Sequence, residues 1–304
     1  MKRFIFTALF VIAIAASVLP AATGVLAERE IERQLDEARE DPNFTLELES
    51  YQRGWFRSTA ALQLRPTEHY LAKMEESLIT AGEQEGLEEQ RELLAALAQG
   101  IDFDADIVHG PLGWQSTPFF GLASVHTVAD SQAPMLASLQ SKLELPYVLQ
   151  VQTLLQFDGT ADFAGDMPEF SYRSDGLVFE FPGLEFDGRA DADAGAVVMH
   201  LVLPPGILGR NGDVEFSFAA LTLMFDGTLL DNRIWMGDSK LSLEQLSINS
   251  SQQTGEQVQL LQLEGLEVRS DTRQSGSGDS ISLALSYTLE RLNGVTLPEI
   301  EALR

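Results

Sequence analysis

Cysteine is absent from the 304 residues. Its absence excludes thiol nucleophiles, disulfides and sulfur-ligated zinc or iron–sulfur centres, and it fits an exported protein that does without cross-links. Positive charge is also scarce, with 20 Lys and Arg against 46 Asp and Glu and a net charge of −26. A phosphate backbone requires a basic footprint, so nucleic acid is excluded as a partner. Electrostatic binding of the chain's body to an anionic membrane surface is disfavoured for the same reason. The acids are spread along the chain, which serves solubility or life in a salty medium that screens self-repulsion.

Patterns that carry chemistry are missing as well. The four histidines, His69, His109, His126 and His200, form neither an H-x-x-x-H pair nor an H-E-x-x-H helix, so a zinc protease is not indicated. No G-x-S-x-G elbow occurs, and no glycine-rich phosphate loop opens a helix. Ser275-Gly276-Ser277-Gly278-Asp279-Ser280 has the composition of a hairpin loop rather than of a reactive serine. His109 beside Gly110-Pro111 reads as a turn residue. Asp102, Asp104 and Asp106 share one strand face and Asp191 with Asp193 repeats the spacing, but an EF-hand would need glycine where Ile107 stands and glutamate where Gly113 stands. These acids read as a solvated face that discourages edge pairing. The expectation is no catalytic residue, no metal and no cofactor.

What is present begins at the N-terminus. Lys2 and Arg3 precede a run from Phe4 to Ala27 that carries no charge and is 24 residues long. A helix of that length spans a bilayer core, and the leading positive pair predicts a cytoplasmic N-terminus with the rest exported. A cleavable signal peptide is the alternative: Pro20 interrupts the run, and Val25-Leu26-Ala27 offers small residues before a cut. Residues 28–42 follow as a helical stalk, with Ile31, Leu35 and Ala38 on one face and Asp41-Pro42-Asn43 as its stop.

The segment Tyr51-Gln52-Arg53-Gly54-Trp55-Phe56-Arg57-Ser58 is the densest pattern in the chain. Phe44, Leu46 and Leu48 alternate with polar residues before it, and Leu62 and Leu64 alternate after it, so both flanks read as half-buried strands. Arg53-Gly54 suits a turn in which glycine supplies positive φ, and Trp55 and Phe56 would face opposite ways if the second strand began there. Tyr51, Arg53, Trp55 and Phe56 are the candidate binding or docking residues.

From Thr67 to Ala98 the chain turns helical, in two pieces parted at Gly82 and Gly86. Beyond Gly100 strands take over, among them Ile101–Val108, Leu177–Phe181, Ala196–Leu203 and Val214–Phe218. Phe179–Phe186 and Leu261–Val268 share an apolar-x-apolar-x-Gly-Leu-Glu-apolar layout, with Leu241–Ile248 as a degenerate third copy. These read as irregular repeats in one meander, enough for one substantial core or two modest ones. The expected fold is mainly β with some α (α+β): a long antiparallel meander, as a curved sheet or open half-barrel, with an N-terminal membrane helix and the helical insertion at 67–98. The domain plan is 1–27 as anchor or signal peptide, 28–42 as stalk and 43–304 as an exported β-rich domain.

The signature at Tyr51–Ser58 resembles the Y-x-R-G-W-F-x-S pattern of the YdgA family of bacterial membrane-anchored envelope proteins, which has no established activity. His109-Gly110-Pro111 resembles that family's H-G-P turn, and Ile234-Trp235-Met236-Gly237-Asp238 resembles its W-x-G-D-like strand entry. Their order along most of the chain carries the resemblance. It implies an uncleaved anchor in the bacterial inner membrane and a periplasmic body, and a chain shortened at its C-terminus relative to the family. The layout is similar to that of AsmA-like proteins, which join one anchor helix to a long β-rich body.

Three functions remain open on these grounds. The first is a noncatalytic membrane-anchored protein that binds an apolar ligand, such as a lipid, or an envelope partner on its sheet. The second is a hydrolase of envelope polymers using paired carboxylates, and the third is a docking scaffold with an aromatic patch at Trp55, Phe56, Phe119 and Phe120.

Overall fold

A computed structural model describes residues 24–26, 28–29, 33, 43–80, 94–95, 98–110, 113–115, 118–129, 143, 145–174, 177–191, 193–211, 214–230, 234–251, 257–274 and 280–294. Most of the uncharged N-terminal run, residues 81–93 of the expected helical insertion and much of the stalk lie outside these residues. Among the described residues no helix is long and apolar enough to cross a membrane. The protein is mainly β, and the chain divides into two compact units, Met1–Phe163 and Ala164–Arg304.

The first unit begins with β1 (Phe44–Gln52) and β2 (Arg57–Pro66), followed by helix α1 (Glu68–Thr80). Then come β3 (Ile101–His109), the short β4 (Gly113–Trp114) and β5 (Pro118–Phe119), β6 (Ala123–Ala129) and β7 (Leu149–Leu155). β8 (Thr160–Met167) carries the division between the units. Strands β1, β2, β3, β6 and β7 pair in that order, antiparallel throughout. Directly opposed residues share a face, and one face collects Ala60, Ala105, Ile107, Ala123 and Leu155 as a closed core. Small residues dominate it. Thr67 caps α1, where its Oγ1 accepts the N–H of Tyr70 at 3.2 Å and its carbonyl accepts the N–H of Leu71. The rings of Phe44 and Tyr70, 5.0 Å apart, hold the helix to the start of β1.

The second unit contains β9 (Phe170–Ser174), β10 (Leu177–Phe181), β11 (Leu184–Asp191), β12 (Ala196–Leu203), β13 (Gly206–Asn211), β14 (Val214–Phe218) and β15 (Leu221–Leu230). The long β16 (Ile234–Ser251) and β17 (Gln257–Gln274) follow, then β18 (Ile281–Thr288) and β19 (Arg291–Gly294). β16 pairs with β15 over its first half and with β14 over its second. β17 likewise pairs with β19 over its first half and with β18 over its second. The short strands are therefore halves of long passages that cross a common seam.

The seam passes through Pro182-Gly183, Pro204-Pro205, Ala219-Ala220, Glu244-Gln245, Glu264-Gly265 and Leu289-Glu290, each of which separates two strands or interrupts a long one. Main-chain hydrogen bonds stitch it: Ala219 N–H to Gln245 O, Glu244 N–H to Ala220 O and Glu290 N–H to Glu264 O. Along β16 the apolar positions are 241 and 243 before the seam and 246 and 248 after it. A regular pleat would send those two sets to opposite faces. The interruption resets the alternation, as a β-bulge does. Gly183 and Gly265 take φ of 89° and 64°, which side chains bearing a Cβ rarely adopt. The layout shared by 179–186, 241–248 and 261–268 is the imprint of this seam, and Phe216–Leu223 carries it too.

Cross-strand rows define the faces of the second unit. Leu201, Leu223, Leu241 and Val268 lie in one row, and Leu203, Leu221, Leu243 and Leu266 in the next. Past the seam Phe218, Leu246, Leu263 and Leu292 continue the apolar series. Among the described hydrophobic residues of this unit only Phe218 is fully buried. The other row residues are partly buried, and Leu292 is exposed.

Replacing Gly183 or Gly265 with alanine is expected to cost about 1–2 kcal/mol each, because the added Cβ is forced into the left-handed region. Gly209→Ala, where an added Cβ would meet nothing closer than Val178 O at 3.8 Å, is expected to stay within about 0.5 kcal/mol. Urea unfolding of the three variants checks this.

Candidate functional site

The signature residues occupy the turn between β1 and β2. β2 begins at Arg57, so Trp55 and Phe56 belong to the turn, and both are exposed rather than divided between the two faces of a strand. Gly54 is not among the glycines with positive φ, which corrects the turn reading above. Glycine is needed there for space: a Cβ would lie 2.1 Å from the carbonyl oxygen of Arg57. Tyr51 packs against the core at Ala60, its partner in register. Arg53 projects outward.

Ser58 ends the signature and sits on the buried face, directly opposite Ile107. His109 is two residues farther along β3 on the same face, so the two side chains meet diagonally. Ser58 Oγ lies 2.6 Å from His109 Nε2, and both residues are sealed, at 1% and 2% exposure. Gly54 N–H donates to Ser58 Oγ at 3.3 Å, and His109 N–H donates to Phe56 O at 2.9 Å. Two landmarks 51 residues apart in sequence are thus one hydrogen-bonded unit.

The N-terminal segment closes over this pair. A Cβ at Gly24 would stand 3.3 Å from Cδ2 of His109, so the helical backbone there lies on the imidazole. One turn later Glu28 accepts a hydrogen bond from Arg53 at 2.9 Å. Arg57 pairs with Asp106 alongside. The signature is a seat for the helix that leads into the domain.

A serine hydrogen-bonded to a histidine invites comparison with a catalytic pair. A triad places an acceptor on the second ring nitrogen and exposes the serine to substrate. Here His109 Nδ1 is buried without a hydrogen-bond partner among the described residues, and Ser58 has no route to solvent. Burial holds the His109 imidazole below its ordinary 6.5, against a smaller upward pull from Glu28. The pair is sealed from solvent, and burial favours the neutral imidazole.

A hydrogen-bonded cluster fastens the β4–β5 excursion to the sheet nearby. Gln115 donates to Asp106 O, while Ser124 Oγ and Gln152 both donate to Gln115 Oε1, at 2.5 and 2.9 Å. Phe119 packs on Gly113, where its ring leaves no room for a Cβ. Phe120 remains exposed.

In the second unit a trough of about 590 Å³ crosses β12, β15, β16, β17 and β18. Its walls are the rows Val198–Asp226–Asp238–Asp271–Ala284 and His200–Met224–Lys240–Arg269–Ser286, on the face opposite the leucine rows. Ion pairs bind this face together: Lys240 and Arg269 both hold Glu267, and Arg273 holds Asp271. The hydrogen bonds from Lys240 and Arg269 lower the pKa of Glu267, opposite to the direction a proton-donating hydrolase acid requires. Among the described residues no three of His, Asp or Glu come together to hold a metal ion.

The third landmark also has a packing reason. Gly237 lies opposite Gly227, with a φ of 139°, and a Cβ there would fall 2.1 Å from Asp226 O. The Phe225 ring covers Gly227 and meets Trp235 edge-on at 5.4 Å. Sequence reasoning missed the contacts of Ser58 with His109 and of Glu28 with Arg53. Chain separation hid both, and only the shared order of the landmarks hinted that they belong together.

Fold and site together define a mainly β protein whose signature residues build a closed seat for the N-terminal segment. The chain belongs to the family described as "Bacterial protein of unknown function (DUF945)", whose model matches residues 1–294. It is similar to Protein YdgA of Escherichia coli (strain K12), at 23% identity over 278 residues that cover 85% of this chain and 48% of that protein. The chain thus spans about half the length of that curated relative. No solved structure matches.

Ser58→Ala leaves the buried imidazole without its partner and is expected to cost about 1–3 kcal/mol in urea unfolding. Arg53→Ala, which breaks an exposed pair, is expected to cost less than about 1 kcal/mol. Because the folded-state pKa of His109 is depressed, its contribution is complete above 6.5 and is lost as pH falls below that value toward the folded pKa. His109→Gln is expected to flatten the acid limb of a stability-versus-pH curve, and an unchanged limb would assign the loss to other groups.

Proposed function

We propose that this protein is tethered to the bacterial inner membrane by its N-terminal apolar run, with a cytoplasmic N-terminus and a periplasmic body. In this reading the second unit is a curved, half-barrel-like wall that binds an acyl chain or similar apolar ligand without catalysis. One observation carries it: the leucine rows of the second unit are only partly buried and Leu292 at their end is exposed, while the first unit gathers a buried core of its own. A one-sided antiparallel sheet needs a cover for its apolar face. Contiguous exposed apolar surface of this kind marks interaction sites.

The charged opposite face supports this division of labour. Its paired Lys240, Glu267, Arg269, Asp271 and Arg273 suit contact with water, so an apolar ligand would be confined to the other side. The closed Ser58–His109 pair and the lowered pKa of Glu267 give no support to the hydrolase reading.

The test is mass spectrometry of lipids copurifying with the full chain, alongside Leu223→Lys, which places a charge in the middle of a leucine row. Enrichment of one lipid class in the parent and its loss in a folded variant are expected. Equal lipid content in both would refute binding at this wall.

A further inference from the structure

One end of the first unit carries an unusual set of exposed rings. Trp55 and Phe56 lie in the β1–β2 turn, Trp114 at the end of β4, Phe120 between β5 and β6, and Phe157 in the β7–β8 turn. Their exposures are 57%, 56%, 71%, 65% and 53%. Antiparallel pairing brings all of these connections to the same end of the sheet. Phe120 and Phe157 meet at 5.4 Å across two separate connections, so part of the set is contiguous. At the opposite end Phe44 is 39% exposed and rests on Tyr70. The rings are concentrated at one end.

That end is also where the N-terminal run arrives. Gly24, near the close of the uncharged stretch from Phe4 to Ala27, lies on His109 at the end of β3, and Glu28 reaches Arg53 in the β1–β2 turn. The described end of the apolar run is therefore fastened to the ring-bearing end of the sheet. Residues that are aromatic, bulky and set close to a membrane-spanning segment are those that settle at the boundary between headgroups and acyl chains.

We infer that this end of the first unit is a membrane-contact surface, with Trp55, Phe56, Trp114, Phe120 and Phe157 seated in the interface of the bilayer that holds the N-terminal run. The inference rests on the tether proposed above. Its occupant is a lipid surface rather than a protein, because the N-terminal run, fastened to this end, brings the bilayer to these rings. Attraction to anionic lipid is not the driving force. The chain's net charge is −26, and the two arginines of the signature turn are paired with Glu28 and Asp106. Ring insertion should therefore persist in high salt.

The chain's three tryptophans make the test direct. Three variants of the full chain each retain one tryptophan, with phenylalanine at the other two positions. Each is reconstituted into phosphatidylcholine vesicles with and without bromine atoms on the acyl chains, and flotation of the vesicles reads the tether separately. The expected result is that the chain floats and that Trp55 and Trp114 each lose emission in brominated vesicles, equally at low and high salt. Trp235 belongs to the second unit and does not bear on this surface. A chain that floats while Trp55 and Trp114 emit equally in both vesicles overturns the contact surface and leaves the tether standing. A chain that does not float, with both tryptophans undimmed, overturns both.

Discussion

An antiparallel sheet with one apolar face must set that face against something, and the two units of this protein meet the requirement differently. The first unit packs Ala60, Ala105, Ile107, Ala123 and Leu155 into a closed core. The second aligns leucines in rows across its passages and leaves nearly all of them only partly buried among the described residues. Burial of apolar area is worth roughly 25 cal/mol per Å², so a wall of this size left in water forgoes a large stabilisation. The proposed function rests on matching such a surface to an apolar occupant.

The seam is what makes such a wall feasible. A long flat sheet of eighteen-residue strands like β16 and β17 would have extended apolar rows and little curvature. Interrupting every passage at one level resets the pleat while the ladder continues on both sides, and interruptions of this kind bend the strands that carry them. Gly183 and Gly265 mark where the backbone does this by left-handed residues, and the proline and alanine pairs mark where it does so between strands. The signature hairpin serves a different end. Its Ser58, joined to His109, and its Arg53, joined to Glu28, tie the entering helix to the first unit.

Much of this architecture was legible from alternation alone, because a half-buried strand writes its faces into the chain with period two. β10, β12 and β14 run over the residues that alternation singled out, and β3 extends one residue past them. The apolar-x-apolar layout at 179–186, 241–248 and 261–268 was visible as a repeat, yet its meaning as a seam depends on the alignment of neighbouring passages, which no single passage records. The seat was hidden for a similar reason. Ser58 and His109 are brought together by the register of β2 with β3, and Gly54 looks like a turn glycine of the positive-φ kind until the approach of the Arg57 carbonyl is seen. Local signals reported elements, while long-range pairing decided what the elements do.

The central claim is that the leucine-lined face of the second unit is a binding wall. Photo-crosslinking the full chain in membranes with a diazirine-bearing fatty acid, followed by peptide mapping, tests it most directly. Adducts are predicted along the row of Leu201, Leu223, Leu241 and Val268, and adducts confined to the opposite face or absent from the second unit would contradict the account.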